Sequence, residues 1–362
     1  MLQELLKTNP EYFYCFATAI AFAIGTSIIP TIISFSVKYE LFDRLDLHRK
    51  NHKEHISRLG GIAIFVSFTI TVLFFARWIH YEGGNFLIIA CFVLGAMGLK
   101  DDVYGTRLIT KLFLQVSVSI LLVFFGDYHL TSLYGVFGIG DMNYVWGSVF
   151  SVLLIIFLSN IFNLIDGIDG LAASIGLLVT GCFGVLFSVM HQAPYALISF
   201  TLFGATLAFL RFNRYPAKVF MGDTGSLIIG LVTSVLAIKF IELNKVNVQE
   251  VPMYYSAPAI AVSILIVPIF DSLRIFIVRI LKRKSPFRGD RNHMHHRLEQ
   301  LGLKPNSIVL ITVVFNGLFV SSVFLLQNLG DFLLICLMIF TCALFNFGIT
   351  LALKRKAKMK RL

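Results

Sequence analysis

Apolar runs of about membrane-spanning length recur from one end of this 362-residue chain to the other, and no other property narrows its folding options as far. A hydrocarbon core about 30 Å thick takes roughly 20 apolar residues per helix. Runs near residues 12–36, 61–78, 85–99, 108–126, 145–162, 171–190, 193–211, 225–241, 254–281, 307–326 and 331–353 meet or approach that length, which gives about eleven candidate helices. Charged residues are only 14% of the chain, where soluble domains carry about 25%. The expected fold class is an all-α, polytopic transmembrane helix bundle, a single domain over residues 1–362 with no room for a large soluble one. The first run follows an acidic, proline-containing start (Glu4, Pro10, Glu11) without a small-residue cleavage site, so it reads as a retained span.

The net charge of +11 does not point to nucleic acid, because Lys and Arg collect in short loops between apolar runs and near residue 360. That is the pattern of membrane orientation and of contact with lipid phosphate. The Lys/Arg-rich segments 43–58, 281–304 and 354–361 are expected on the cytoplasmic side, with the N-terminus outside and the C-terminus cytoplasmic. Threading the chain on those terms brings the loops 37–60, 100–107, 163–170, 212–224 and 282–306 to one face, and with them nearly all the reactive polar residues. One composite cytoplasmic site is the expectation. The five cysteines stand singly in apolar runs without CxxC spacing, as buried thiols do.

Each polar cluster has a structural reading beside its functional one. Asp101 and Asp102 read either as a solvated helix connection or as an acidic pair for a hard divalent cation or for proton handling near phosphate. In Asn160–Leu171, Asp169 could cap a helix and Gly167 could permit a turn, but neither role accounts for Asn160 and Asn163 at the end of an apolar span. Asn160, Asn163, Asp166 and Asp169 fall three apart, and amides and carboxylates there can line a polar nucleotide pocket. In Pro216–Ser226, Asp223 or Thr224 could be a plain N-cap; alternatively Asp223 meets a metal or phosphate at a helix start while Phe220 offers a face to a base. The stretch Arg288–Arg297 packs His293, His295, His296 and three arginines into ten residues, donors suited to phosphate oxygens; no cysteine or spaced carboxylate completes a zinc set nearby. Asp271 and Arg274, three apart in an apolar run, read as a local ion pair.

In this order the clusters resemble the polyprenyl-phosphate N-acetylhexosamine-1-phosphate transferase family. Five motifs between about Asp46 and Gly302 carry the resemblance: Arg49-Lys50-Asn51-His52 leading to Arg58-Leu59-Gly60-Gly61; Asp101-Asp102 followed by Lys111 and Gln115; Asn160–Ala172; Val219–Ser226; and His293-Met294-His295-His296. Ser285-Pro286-Phe287 and the spaced histidines are more similar to the N-acetylglucosamine-1-phosphate branch than to the phospho-MurNAc-pentapeptide translocases. His55 and Ser57 depart from the family, standing where prolines are common.

The resemblance implies transfer of a sugar 1-phosphate from a UDP-sugar to undecaprenyl phosphate, with magnesium or, alternatively, manganese. It implies a multi-pass protein of the bacterial cytoplasmic (inner) membrane with its site on the cytoplasmic face, and a homodimer as a further assembly. Asp223 would ligate metal, and Asp101 and Asp102 would contact metal or lipid phosphate. Asn163, Asp166, Asp169 and Phe220 would serve the nucleotide. Lys50, His52, His293, His295 and His296 would hold phosphates, with Arg58 and Arg297 also binding substrate; His295 and His296 join the three aspartates as catalytic candidates. A secondary transporter is the rival from another class, but its polar site belongs near the bilayer midplane on broken helices.

Overall fold

With no water in a bilayer interior, the backbone of every apolar run must satisfy its own polar groups, and helices do so. The computed structural model describes residues 2–41, 56–79, 81, 83–245, 254–283 and 292–359. Its helices are α1 Leu2–Thr8, α2 Pro10–Lys38, α3 Gly60–Phe75, α4 Gly84–Tyr104, α5 Leu108–Phe124, α6 Tyr144–Ile165, α7 Leu171–Val189, α8 Ala193–Asn213, α9 Gly222–Leu243, α10 Ala257–Ile264, α11 Ile266–Leu281, α12 Met294–Gln300, α13 Pro305–Leu326 and α14 Asp331–Met359. Among the described residues eight helices are long and apolar enough to cross a membrane, or nine when the bent α10–α11 pair is taken as one span. The chain is an all-α, multi-pass membrane protein.

The chain divides into two compact units, residues 1–130 with 143–240 and residues 131–142 with 241–362. In the first, α9 is the innermost helix: 89% of its apolar window is buried, against 28% for α2. Its small and hydroxylated residues allow this. Thr233 and Ser234 donate to their own helix carbonyls, Ile229 O at 2.7 Å and Leu231 O at 2.6 Å, so polar side chains sit in the core without outside partners. Large apolar side chains such as Ile109 and Phe113 on α5 stand exposed, as lipid-facing residues do.

The second unit departs from the sequence reading in two places. A short antiparallel hairpin, β1 Ser132–Val136 and β2 Ile139–Asp141, occupies a stretch with no helical or alternating pattern to announce it. The apolar run 254–281 is two helices bent by 79° at Leu265. A break exposes backbone groups that a bilayer cannot satisfy. Buried Asn316 of α13 meets them: its amide donates to Ser263 O at 3.2 Å and Ile264 O at 3.0 Å, and its oxygen accepts from Val267 N at 3.3 Å. Asp331 accepts from Ala259 N at 2.8 Å, which caps the start of α10.

Candidate active site

The first polar group is built where α4 and α5 meet the start of α9. Asp102, in the last turn of α4, accepts from the backbone N–H of Asp223 at 2.7 Å and of Thr224 at 3.0 Å, and from the Thr224 hydroxyl at 2.7 Å. The cap of α9 is therefore a carboxylate from another helix, and not Asp223 or Thr224 as the plain capping reading had it. An anion at the positive end of a helix dipole is favourable. Two glycines permit the approach. Gly222 has φ +68°, and a Cβ there would lie 2.6 Å from both Asp102 oxygens; a Cβ on Gly98 would lie 2.6 Å from Thr224 Cα.

Beside this cap two carboxylates converge on one cation. Lys111 Nζ, one turn into α5, donates to Asp101 Oδ2 at 2.7 Å and also to Asp223 Oδ2. The other Asp223 oxygen accepts from Asn163 Nδ2 at 2.7 Å, and the same amide reaches Ser226 Oγ at 3.2 Å. These charged side chains are about a fifth exposed, open to a ligand yet screened less than surface ions. Beyond the apolar run 85–99 the two acids of α4 differ. Burial pushes Asp102 up to about 6 against the pull of its donors, while for Asp101 the opposing effect of burial is outweighed by Lys111, which holds it below the usual carboxylate range.

The sequence motif that contains Lys111 does not by itself assign the lysine a role. A lone lysine in an apolar run is costly enough in a bilayer to mark a paired or functional group. Asn160, by contrast, has a structural partner: Gln115 Nε2 donates to its Oδ1 at 3.2 Å, and its own amide donates to Gln115 Oε1 at 3.0 Å. The polarity of Asn160 at the end of an apolar span is met by this clasp between α5 and α6.

The loops around residues 166–170 and 214–221 are tied together. Asp169 Oδ2 accepts from Ala217 N at 3.0 Å; Asn213 accepts from Gly170 N and donates to Val219 O, both at 2.9 Å. Asp169 thus braces a loop and does not cap α7, whose N-cap is Gly170. Asp166 ends α6, half-buried. Phe220 is pinned through its backbone, donating to Ser57 O at 2.8 Å and accepting from Gly60 N at 3.0 Å, with its side chain half-buried. Arg58, next to Ser57 in the sequence, is exposed; Lys50 and His52 lie outside the described residues.

The second group belongs to the second unit. His293 precedes α12, which carries His295, His296 and Arg297. The rings of His293 and His295 stack with centroids 5.5 Å apart and planes 8° from parallel, and His296 follows at 4.3 Å from His295. Burial, with His296 next to it, pushes the His295 imidazole down to about 3, so it is neutral near pH 7; its Nε2 is buried without a hydrogen-bond partner among the described residues. Arg297 donates to Thr350 Oγ1 at 2.6 Å and to Asn346 Oδ1, both on α14. His296 Nδ1 lies 3.5 Å from Glu299.

Of the three aspartates expected around a metal, Asp101 and Asp223 converge and Asp102 is turned to the α9 backbone. Among the described residues no three His, Cys, Asp or Glu side chains gather into a metal cage. The residues present nonetheless fit a hard cation. Two carboxylates directed at one point already held by an ammonium form an oxygen donor set of the kind magnesium takes, the rest of its shell coming from water and substrate phosphate.

Residues 85–241 match the sequence profile of glycosyl transferase family 4. The chain is 33% identical over 327 residues, 86% of each chain, to a probable undecaprenyl-phosphate N-acetylglucosaminyl 1-phosphate transferase of Bacillus subtilis. It is 32% identical to a decaprenyl-phosphate N-acetylglucosaminephosphotransferase of Mycobacterium tuberculosis, over 75% of this chain and 72% of the relative. It is 29% identical to the undecaprenyl-phosphate alpha-N-acetylglucosaminyl 1-phosphate transferase of Escherichia coli K12, over 86% and 84%.

Proposed function

The chain belongs to glycosyl transferase family 4, and on that basis we propose that it transfers N-acetylglucosamine 1-phosphate from its UDP-sugar to undecaprenyl phosphate, releasing UMP. The observation that carries this reading is the meeting of Asp101 and Asp223 on Lys111 at the capped start of α9. It is an arrangement for handling polyanions, in a chain whose relatives are named for that transfer.

A phosphate monoester has its second pKa near 6, so the lipid phosphate is already largely ionised at neutral pH and needs no strong general base. Its oxygen forms a new bond to the phosphorus that bears the sugar. The bond between that phosphorus and the bridging oxygen of the diphosphate breaks, and the bridging oxygen leaves with UMP. The obstacle is the approach of two anions, which positioned cationic groups relieve. Magnesium, where bound, would be held by Asp101 and Asp223 and would neutralise phosphate charge. Lys111 keeps the two carboxylates in register, Asn163 fixes the rotamer of Asp223, and Asp102 anchors the α9 amides so that Asp223 stays in place.

Phe220, Asp166 and Asp169 serve the nucleotide, directly for Phe220 by stacking and for Asp169 by holding the loop. Arg58, Lys50, His52, His293, His295, His296 and Arg297 serve the phosphates. The reading places these groups on the cytoplasmic face of a bacterial inner membrane, supported by the basic segments 43–58, 281–304 and 354–361.

The test is UMP release by detergent-purified protein given undecaprenyl phosphate and, in separate reactions, several UDP-sugars. UMP should appear only when both substrates are present, fastest with UDP-N-acetylglucosamine. No UMP with any donor overturns the assignment and returns the transporter as the stronger reading.

A further inference from the structure

The interaction of Asp271 with Arg274 accounts for only part of what Asp271 does. Asp271 lies on α11 and is 2% exposed, a position in which an ionised carboxylate needs more than one partner. Its Oδ1 accepts from Arg274 Nη2 at 2.8 Å and from the backbone N–H of Met294 at 2.9 Å, and its Oδ2 meets His293 Nδ1 at 2.9 Å. Arg274 in turn donates to the carbonyl of Asn292. One carboxylate therefore holds the first amide of α12 and the ring of the histidine that precedes it, and through Arg274 it is tied to the carbonyl of Asn292. The N-cap residue of α12, His293, makes no cap bond with its own side chain, so Asp271 caps α12 from outside the segment.

The chemistry of the contact decides more than position. An ionised carboxylate only accepts, so His293 Nδ1 must carry the proton and Nε2 is the nitrogen left to face a ligand. Because the His293 ring stacks flat on His295, its orientation also sets that of the next ring. Buried nitrogens near this contact, Arg274 Nε and His295 Nε2, have no partner among the described residues, as suits a place awaiting a polar ligand atom.

We infer that Asp271 is a positioning residue for the transfer, fixing the tautomer and placement of His293 so that Nε2 meets substrate. This rests on the proposal that the histidines serve the substrate phosphates, and the experiment separates the two ideas. Three variants of the full-length protein, Asp271→Asn, His293→Asn and the double variant, are assayed for UMP release with UDP-N-acetylglucosamine and undecaprenyl phosphate, alongside thermal unfolding. In Asp271→Asn the Asn oxygen still accepts from Met294 and Arg274, but its NH₂ faces His293 Nδ1 and forces the opposite tautomer. The expected result is a loss in kcat/KM of about 10–100-fold, the scale seen when a carboxylate behind a functional histidine is removed. On the His293→Asn background the same change should cost less than about 2-fold, since residues acting through one group are not additive.

A merely structural role predicts otherwise, with losses that track unfolding and multiply in the double variant. If His293→Asn is damaging while Asp271→Asn is harmless or fully additive, the inference is overturned and the histidine proposal stands. If His293→Asn alone leaves kcat/KM unchanged, the histidine proposal falls and takes the inference with it. Should Asp271→Asn fail to fold, Asp271→Glu keeps the charge beside Arg274 but displaces the carboxylate by one methylene; misplacement of about 1 Å can cost up to about 100-fold, and an undiminished Asp271→Glu enzyme overturns the inference equally.

Discussion

The carboxylate group of the first unit and the histidine group of the second satisfy their polar atoms in opposite ways. In the first, Asp101, Lys111, Asp223 and Asn163 all find one another, and Asp102 is fully engaged by the α9 amides and the Thr224 hydroxyl. In the second, Asp271 holds His293 and α12 firmly, yet Arg274 Nε and His295 Nε2 are buried with no partner among the described residues. The first group must exchange partners before it can take a cation, so binding there is a competition with Lys111. The second group offers donors and acceptors already in place.

The largest test of that contrast is Asp223→Asn. It keeps the size of the side chain and an acceptor for Lys111, and Asp102 still caps α9, so folding should be little changed. UMP formation should fall by about 10³-fold or more, the scale for losing one well-placed electrostatic group in phosphoryl transfer. Thermal unfolding measured beside activity over a magnesium titration decides it: near-normal turnover at ordinary magnesium removes Asp223 as a ligand, and joint loss of folding and activity makes it structural.

Lys111→Met sharpens the comparison by removing the competitor itself. Asp101 then loses the cation that holds its carboxyl low, so its ionised form survives only at higher pH. The acid limb of the kcat/KM profile should move to higher pH, and activity at pH 7 should drop by about 10²-fold. Added magnesium should recover part of that loss, because the cation takes over the neutralising role. A profile that does not move, or a loss that magnesium leaves untouched, would sink the competition between lysine and metal.

The smallest effect falls on recognition. Phe220→Ala should weaken UDP-sugar binding by about 1–3 kcal/mol, the range for a base stacked on an aromatic ring. Undecaprenyl phosphate, which has no ring to stack, should bind as before. Calorimetric titration of each substrate tells the outcomes apart, since equal weakening means that Phe220 only packs its loop.

What sequence can reveal here depends on whether the signal is local. Each of the eleven apolar runs corresponds to helix in the structure because hydropathy is read residue by residue. The bend at Leu265 was invisible, since its compensation comes from Asn316, about fifty residues on, and the run 254–281 reads as uninterrupted. The Asn160–Gln115 clasp escaped for the same reason: a polar residue in an apolar span advertises a partner without naming it. Asp271 and Arg274 were recognisable as a pair three residues apart, whereas His293 joined them only once the chain had turned back. The acids Asp101, Asp102 and Asp223 could be listed in advance, but their division into two that converge and one that caps is a matter of direction, which composition does not carry.

Gly98 and Gly222 bear on how such a chain can vary. Over most of its length one oily side chain can replace another at small cost, because lipid and neighbouring helices accommodate many shapes. At these two positions the gap between Asp102 and the start of α9 is set by the absence of an atom, and alanine, ordinarily the mildest replacement in a helix, would drive a carbon to within 2.6 Å of its neighbours. These two glycines therefore fix how closely the start of α9 sits on the Asp102 carboxylate, whatever side chains change around them.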